Sequence, residues 1–299
     1  MTARPPEQEH VLSATDSFVA HRPLLFTVAY EMLGSAADAE DVLQETWLRW
    51  ADVEHGEVRD TRAYLVRITT RLSLNRLRTL ARRREAYVGP WLPEPLLTSP
   101  DVAEDVVLAD SVSTAVLLVL ETLAPLERAV FVLREVFDVG YDEIAAAVDR
   151  SPAAVRQIAS RARSHVAARR PREVVDARER DAVLARFRAA ASTGDLQGLL
   201  DVLSPDVVLV TDGGGRRKAA LRPISGRDKV LRFLAAVVPA DARMEATVVN
   251  GAPGLRIVVA GEVDAVLSLL VQDGRVTGLY AVRNPDKLRG VDRAVSLRR

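Results

Sequence analysis

The chain has 299 residues, 48% of them apolar and 27% charged, and its 41 basic residues match its 41 acidic ones. At about 100–200 residues per domain this length predicts two or three units, and the apolar fraction excludes wholesale disorder. Cysteine is absent and the four histidines (His10, His21, His55, His165) are scattered. Disulfides, thiol nucleophiles and cysteine-bearing zinc or iron–sulfur sites are thereby excluded, and no metal, cofactor or catalytic residue is expected. Apolar runs such as residues 263–271 fall short of the roughly 18 residues of a membrane span. The opening MTARPPEQEH carries no apolar signal core, so a cytoplasmic protein with no membrane partner is expected.

Zero net charge hides a sorted pattern. Residues 61–84 hold eight arginines and no acid, residues 150–172 hold seven arginines and no acid, and residues 35–54 hold six acids against Arg49. Charge sorted by segment is what separate docking surfaces require, although a single such block is also an ordinary solvated helix face.

Three helices are predicted over residues 11–84. The first covers about 16–32 and ends before Gly34. Ser35 is a good N-cap for the second, whose early acids suit the positive helix end. Within it Ala39, Val42, Leu43, Thr46, Trp47 and Trp50 form one buried stripe, with Glu40, Asp41, Gln44, Glu45 and Leu48 on or beside the outer face. The third, about 61–84, packs through Leu65, Ile68 and Leu72 with Tyr64 beside them. It is expected to turn most of its arginines, among them Arg67, Arg71, Arg76 and Arg78, to solvent.

Residues 85–110 contain Pro90, Pro93, Pro95 and Pro100 and read as an extended linker. Trp91 and Leu92 are unusual in such a stretch and predict docking on a neighbouring domain. Helices resume near Ser111. Residues 141–148, a turn at Asp149–Arg150 and a second helix opened by Ser151 and Pro152 have the shape of a helix-turn-helix. Val155, Ala159, Ala162 and Val166 face inward, leaving Arg156, Gln157, Ser160 and Arg161 outward, able to reach base edges or phosphates; the bland alternative is an α-hairpin with a wet arginine face. After Pro171 two helices (179–192 and 195–203) precede short β-branched runs at 207–211, 246–249, 255–259, 263–271 and 276–282, the pattern of an α+β domain.

With Asp38-Ala39-Glu40-Asp41 and Gln44-Glu45 on a helix ahead of a basic helix and a distant helix-turn-helix, the chain resembles the bacterial extracytoplasmic-function sigma factors. Trp91-Leu92-Pro93-Glu94-Pro95, Asp212-Gly213-Gly214-Gly215 and Asn284-Pro285-Asp286-Lys287-Leu288 resemble motifs of the subgroup carrying a fused SnoaL-like domain. The resemblance implies two all-α sigma domains, a region 2 three-helix bundle and a region 4 helix-turn-helix, plus an α+β SnoaL-like, nuclear-transport-factor-like cone. The expected division is 11–84 for region 2, 85–110 for the linker, 111–172 for region 4 and 173–299 for the regulatory domain. It further implies that Asp41, Gln44, Glu45 and Leu48 grip the clamp helices of RNA polymerase core. Arg67, Arg71, Arg76 and Arg78 would hold the minus-ten element beside a loop pocket for a flipped base, and Arg156, Gln157, Ser160 and Arg161 would read the minus-thirty-five element. Tyr64, Arg71 and Asn75 depart from residues common in the wider family.

Cones of this kind hold small apolar ligands and include enzymes. Of the candidate polar groups Asp212, Asp264, Tyr280 and Arg283, none is a histidine, and Asp212 with its glycines reads as a tight turn that lets another segment approach the backbone. The expectation is a non-enzymatic sigma factor whose last domain replaces a separate anti-sigma protein, using the Pro-rich linker, the glycine loop and the Asn284–Leu288 tail as contacts. Two other readings stay open: a one-component regulator that binds an operator without polymerase, and a SnoaL-type enzyme with a DNA-tethering arm.

Overall fold

The computed structural model describes residues 14–99, Val102, 105–169 and 176–299. The expected start at residue 11, Pro100 and the expected boundary at 172–173 lie outside the described residues. Helices α1 (Ala14–Leu33), α2 (Ala36–Ala51) and α3 (Thr61–Glu85) form the first bundle. Gly34 breaks α1 from α2 with φ +67°, and the Trp91 ring sits where a Cβ would be, so only glycine fits. The Ser35 hydroxyl then accepts from the Asp38 amide and Asp60 caps α3 through the Ala63 amide. In α2 the stripe Ala39, Val42, Leu43, Thr46 and Trp50 is buried. Trp47 is half-buried, its ring 5.2 Å from that of Phe18.

After the linker come α4 (Val106–Ser111), α5 (Thr114–Leu120), α6 (Pro125–Phe131) with a π-helical turn over Val132–Val136, α7 (Tyr141–Val148) and α8 (Pro152–Arg169). Asp149 ends α7 in the left-handed region (φ 55°), making the sharp turn of the helix-turn-helix. One hydrophobic core runs from Phe18 to Val166 through both helical segments, so they pack as one body. In α3, Val66, Thr69, Thr70, Ser73, Leu74 and Leu77 are buried as well as Leu65 and Leu72, since α1, α2 and α7 all pack on it, while Arg71 and Arg78 are exposed and Arg62, Arg67 and Arg76 are half-exposed.

The remaining residues build an α+β domain. Helices α9 (Ala177–Thr193) and α10 (Leu196–Val202) lie against a curved eight-stranded sheet of order β3-β2-β7-β6-β5-β4-β1-β8. Its strands are β1 (Leu97–Thr98), β2 (Leu203–Asp212), β3 (Ile224–Ser225), β4 (Arg243–Val249), β5 (Ala252–Val259), β6 (Glu262–Gln272), β7 (Arg275–Val282) and β8 (Ala294–Val295). Helix α11 (Arg227–Val237), which no sequence signal singled out, closes the cone, and a single turn, α12 (Pro285–Leu288), follows β7.

Two features tie the halves together. The linker supplies β1, pairing antiparallel with β4 and parallel with β8, so the extended prolines deliver a strand to the distant sheet. At the β4–β5 turn, Asn250 accepts from the Leu96 amide (2.9 Å) and donates to Tyr30 Oη (2.6 Å) and the Val112 carbonyl (3.0 Å). One side chain thus joins α1, the linker, the segment after α4 and the sheet. Asn250→Ala takes this partner from the Leu96 amide and the Val112 carbonyl, while Tyr30 Oη keeps its bond to the Glu94 carbonyl, and is expected to cost about 1–3 kcal/mol for each group left unsatisfied, measured by urea unfolding.

Candidate functional site

The three motif segments singled out by sequence meet at one buried point. Asp212, at the end of β2, is fully buried, and its carboxylate accepts from Tyr87 Oη (2.5 Å), the Leu92 amide (2.9 Å), the Gly214 amide (3.1 Å) and Lys287 Nζ (2.7 Å). Two of these donors come from the linker, one from the glycine loop and one from α12. A buried carboxylate is tolerated only when donors and a counter-charge surround it, so all four segments are needed together.

Lys287 completes the cage. Its ammonium also donates to the Leu92 carbonyl (2.5 Å) and lies 4.1 Å from the Trp91 ring centre and 5.0 Å from that of Tyr87. Burial pulls its pKa down to about 8 against the opposing pull of Asp212. Asn284 donates to Tyr87 Oη (2.9 Å) and packs where a Cβ on Gly214 (φ +57°) would stand, the close approach that the glycine run allows. Leu92, Val249, Val266, Val282, Leu288 and Val291 form a small apolar core around this polar centre. Pro93 and Pro95 keep the strap extended on either side of Glu94, and Gly213, Gly215 and Asp286 complete the loop and tail, with Asp286 paired to Arg216 and Arg289.

Glu94 faces the other way. Its carboxylate accepts from the Ala36 (2.8 Å) and Ala37 (3.3 Å) amides and from Ser35 Oγ (3.2 Å), so the linker caps helix α2. Burial raises its pKa. On the far side of Trp91, the Arg84 guanidinium stacks 4.0 Å from the ring centre and pairs with Glu121, which also pairs with the buried Arg128. Arg128 Nε donates to the Glu31 carbonyl (2.9 Å), and Ser111 Oγ donates to Glu31 Oε1 (2.7 Å). Burial pushes the Glu31 carboxyl up to about 8 and Arg128 down to about 9. Tyr87, Asn250, Glu31, Glu121 and Arg128 escaped sequence reasoning; only Tyr87, an aromatic inside a Pro-rich stretch like Trp91, carried a usable signal.

The faces expected to be outward differ in availability. On α2, Asp41, Gln44, Glu45 and Leu48 are exposed. Asp41 nevertheless binds Arg76 (2.5 Å), which Asp38 also holds (2.7 Å), and Glu45 pairs with Arg49. On α3, Arg71 donates to the Ala146 and Ala147 carbonyls at the end of α7 (2.8 and 3.1 Å). Arg67 lies over Tyr64 (4.8 Å), and Arg78 is exposed, contacting Asn75. A cavity of about 460 Å³ lies between residues 53–60, Tyr64 and Arg67, walled on the other side by Glu143 and Ala146 of α7. On α8, Arg156, Gln157, Ser160 and Arg161 are all exposed over the inward Val155, Ala159, Ala162 and Val166.

Inside the cone a cavity of about 490 Å³ is lined mostly by apolar side chains, with Thr211, Lys218, Asp264 and Arg283 among its polar ones. Asp212 is at the junction and Tyr280 packs against the junction's apolar core, so neither lines the cone. Among the described residues there is no cluster of three metal-ligating side chains, and no helix is long and apolar enough to cross a membrane.

Comparison with known proteins agrees with this architecture. Residues 18–83 match the Sigma-70 region 2 model and residues 113–166 the Sigma-70 region 4 model. The chain is 38% identical over 289 residues to the ECF RNA polymerase sigma factor SigJ of Mycobacterium tuberculosis, covering 91% of this chain and 92% of that protein. It is 33% identical over 276 residues to the probable ECF sigma factor SigI of the same species, covering 90% and 92%. The crystal structure of M. tuberculosis SigJ superposes with a TM-score of 0.74 at 36% identity, covering 93% of this chain and 99% of that one. The chain belongs to the extracytoplasmic-function RNA polymerase sigma factors. It therefore directs promoter-specific transcription initiation with RNA polymerase core and promoter DNA as partners, a regulatory rather than catalytic role.

The Glu31 shift has a definite sign. A carboxyl whose pKa rises from 4.5 to about 8 on folding takes up a proton, so its contribution is full below pH 4.5 and is lost as pH rises towards 8. Glu94 adds in the same direction. Urea midpoints of the full chain are expected to fall between pH 5.5 and 8, and Glu31→Gln is expected to flatten that slope. An unchanged slope in the variant would remove Glu31 as its source.

Proposed function

We propose that this sigma factor is held shut by its own C-terminal domain and starts transcription when the Asp212 junction releases the linker. The observation that carries the reading is that the strap between the two promoter-binding segments is at once a strand of the C-terminal sheet, a ligand of Asp212 and Lys287, and the N-terminal cap of α2. A separate anti-sigma protein is then unnecessary, because the fused domain supplies the clamp. Packing of α7 on α3 supports the same reading, since Arg71 is committed to α7 carbonyls and Glu143 puts negative charge on the wall of the cavity where a flipped base would enter.

On release, Arg67, Arg71, Arg76 and Arg78 take the phosphates of the minus-ten element, and Arg156, Gln157, Ser160 and Arg161 reach base edges and phosphates of the minus-thirty-five element. Asp41, Gln44, Glu45 and Leu48 dock on the clamp helices of the polymerase core. Because Asp41 and Arg76 share an ion pair, polymerase taking Asp41 releases one of the two carboxylates that hold Arg76 and leaves Asp38 as its partner until DNA phosphate competes. The protein acts in the cytoplasm, where polymerase and chromosome are, and the cone takes a small apolar ligand as input to the junction.

Three outcomes test this. In run-off transcription with core polymerase, Asp212→Asn and Lys287→Ala are expected to raise output several-fold over the intact chain; equal or lower output contradicts the clamp. Arg161→Ala is expected to weaken minus-thirty-five binding by about 1–3 kcal/mol with loss of base preference, whereas uniform weakening on all sequences demotes it to a phosphate contact. Asp41→Arg together with Glu45→Arg is expected to abolish co-purification with core polymerase without lowering the melting temperature.

A further inference from the structure

The cone cavity is closed by α9, α10, α11 and the strands β4 to β7, with Phe187, Leu234, Met244, Ile257 and Leu267 among its walls. Its volume of about 490 Å³ falls within the ~300–1,000 Å³ of small-molecule sites. Polar groups collect at the end nearest the junction. Asp264 and Arg283 pair there at 2.8 Å, each side chain only 16% exposed. Both Arg283 bonds, from Nε (3.1 Å) and Nη2 (2.8 Å), go to the same oxygen, Asp264 Oδ2. Nη1 is taken by the Lys218 carbonyl (2.6 Å). Asp264 Oδ1 therefore has no hydrogen-bond donor among the described residues, and the exposed Lys218, also on the cavity lining, has no acceptor for its ammonium.

An ion pair on the wall of an apolar chamber is costly, and Asp264 Oδ1, which is not among the fully buried unpaired atoms, is open to a donor that enters the chamber. The open pair of groups, one acceptor and one donor at the same end, fits a hydroxyl, which donates to Asp264 Oδ1 and accepts from Lys218. An anion in its place faces the Asp264 carboxylate, and a cation faces Arg283 and Lys218. We infer that the cone is a binding site for an uncharged, predominantly apolar molecule carrying a hydroxyl group, the hydroxyl seated between Asp264 and Lys218.

This inference rests on the reading of the C-terminal domain as the regulatory input, and the site is placed to serve it. Thr211 and Ala281 line the cavity and are register partners, and the next pair along the two strands is Asp212 and Val282. Arg283 enters the chamber with its side chain while its amide donates to the Asp212 carbonyl (2.7 Å), and Asn284 follows directly. A ligand that moves Arg283 thereby moves both residues flanking the buried carboxylate.

Isothermal titration of the full-length protein at pH 7 with 2-naphthol, 2-methoxynaphthalene and 2-naphthoate tests the site. The naphthol is expected to bind about tenfold or more tightly than its methyl ether, which cannot donate to Asp264, and more tightly than the naphthoate. Lys218→Ala, at an exposed position, is expected to narrow the gap between naphthol and naphthalene, titrated alongside as the reference without an oxygen. Leu234→Trp, which fills the chamber, is expected to abolish binding with the melting temperature retained. Equal affinities for naphthol and methyl ether, tighter binding of the naphthoate, or undiminished binding by folded Leu234→Trp would overturn the site. These readouts use the sigma factor alone, so their failure leaves the clamp intact, while Asp212→Asn without effect on transcription would sink the clamp and leave the cavity assignment standing.

Discussion

The arrangement of the whole chain depends on a single buried charge. Asp212 carries no exposure and is ringed by a linker amide, a linker phenol, a glycine-loop amide and the Lys287 ammonium. Removing any partner leaves charge in a low-dielectric site, and that penalty is larger than the net worth of the pair when it is complete. Such an interaction adds little to stability but strongly selects one geometry: the strap must lie against β2 and α12. The apolar residues around it, Leu92 fully buried among them, supply the favourable area.

From that point the constraint passes outward through groups that each face two ways. Trp91 is sandwiched between Lys287 of the C-terminal domain and Arg84 of α3, and Arg84 continues through Glu121 to Arg128 and Glu31. Glu94, three residues after Trp91, holds the start of α2, and Asn250 holds α1 through Tyr30. The C-terminal segment returns as well, with Leu297 in the helical core and the Arg298 amide donating to Thr27 Oγ1. The two sigma segments therefore share one core, and a frame of buried polar bonds ties that core to the C-terminal sheet.

Much of this was legible in the sequence, for local reasons. Ser35, Pro152 and Gly34 set helix ends whose positions agree with the structure, and the α2 stripe and α8 faces follow from a period of 3.6. The odd tryptophan in a Pro-rich stretch and the Asp-Gly-Gly-Gly run each signalled a contact, and both lie in it. The arginine face of α3 was legible only in part, because periodicity reports which residues avoid water, not which partner each outward arginine meets. Arg71, Arg76 and Arg84 look alike in sequence, yet one binds carbonyls of α7, one the acids of α2 and one Glu121. Buried Glu31 and Asn250 were illegible for a related reason: their partners lie 80 and more than 130 residues away, respectively.

The central claim is that the fused domain keeps the two promoter-binding segments together. The chain has no cysteine, so cysteines introduced at the exposed positions Leu48 and Gln157 can carry a unique pair of spin labels. Double electron–electron resonance on the full-length protein is expected to give one narrow distance distribution, and Asp212→Asn is expected to broaden it and move it to longer distances. The same narrow distribution in both proteins would contradict the account.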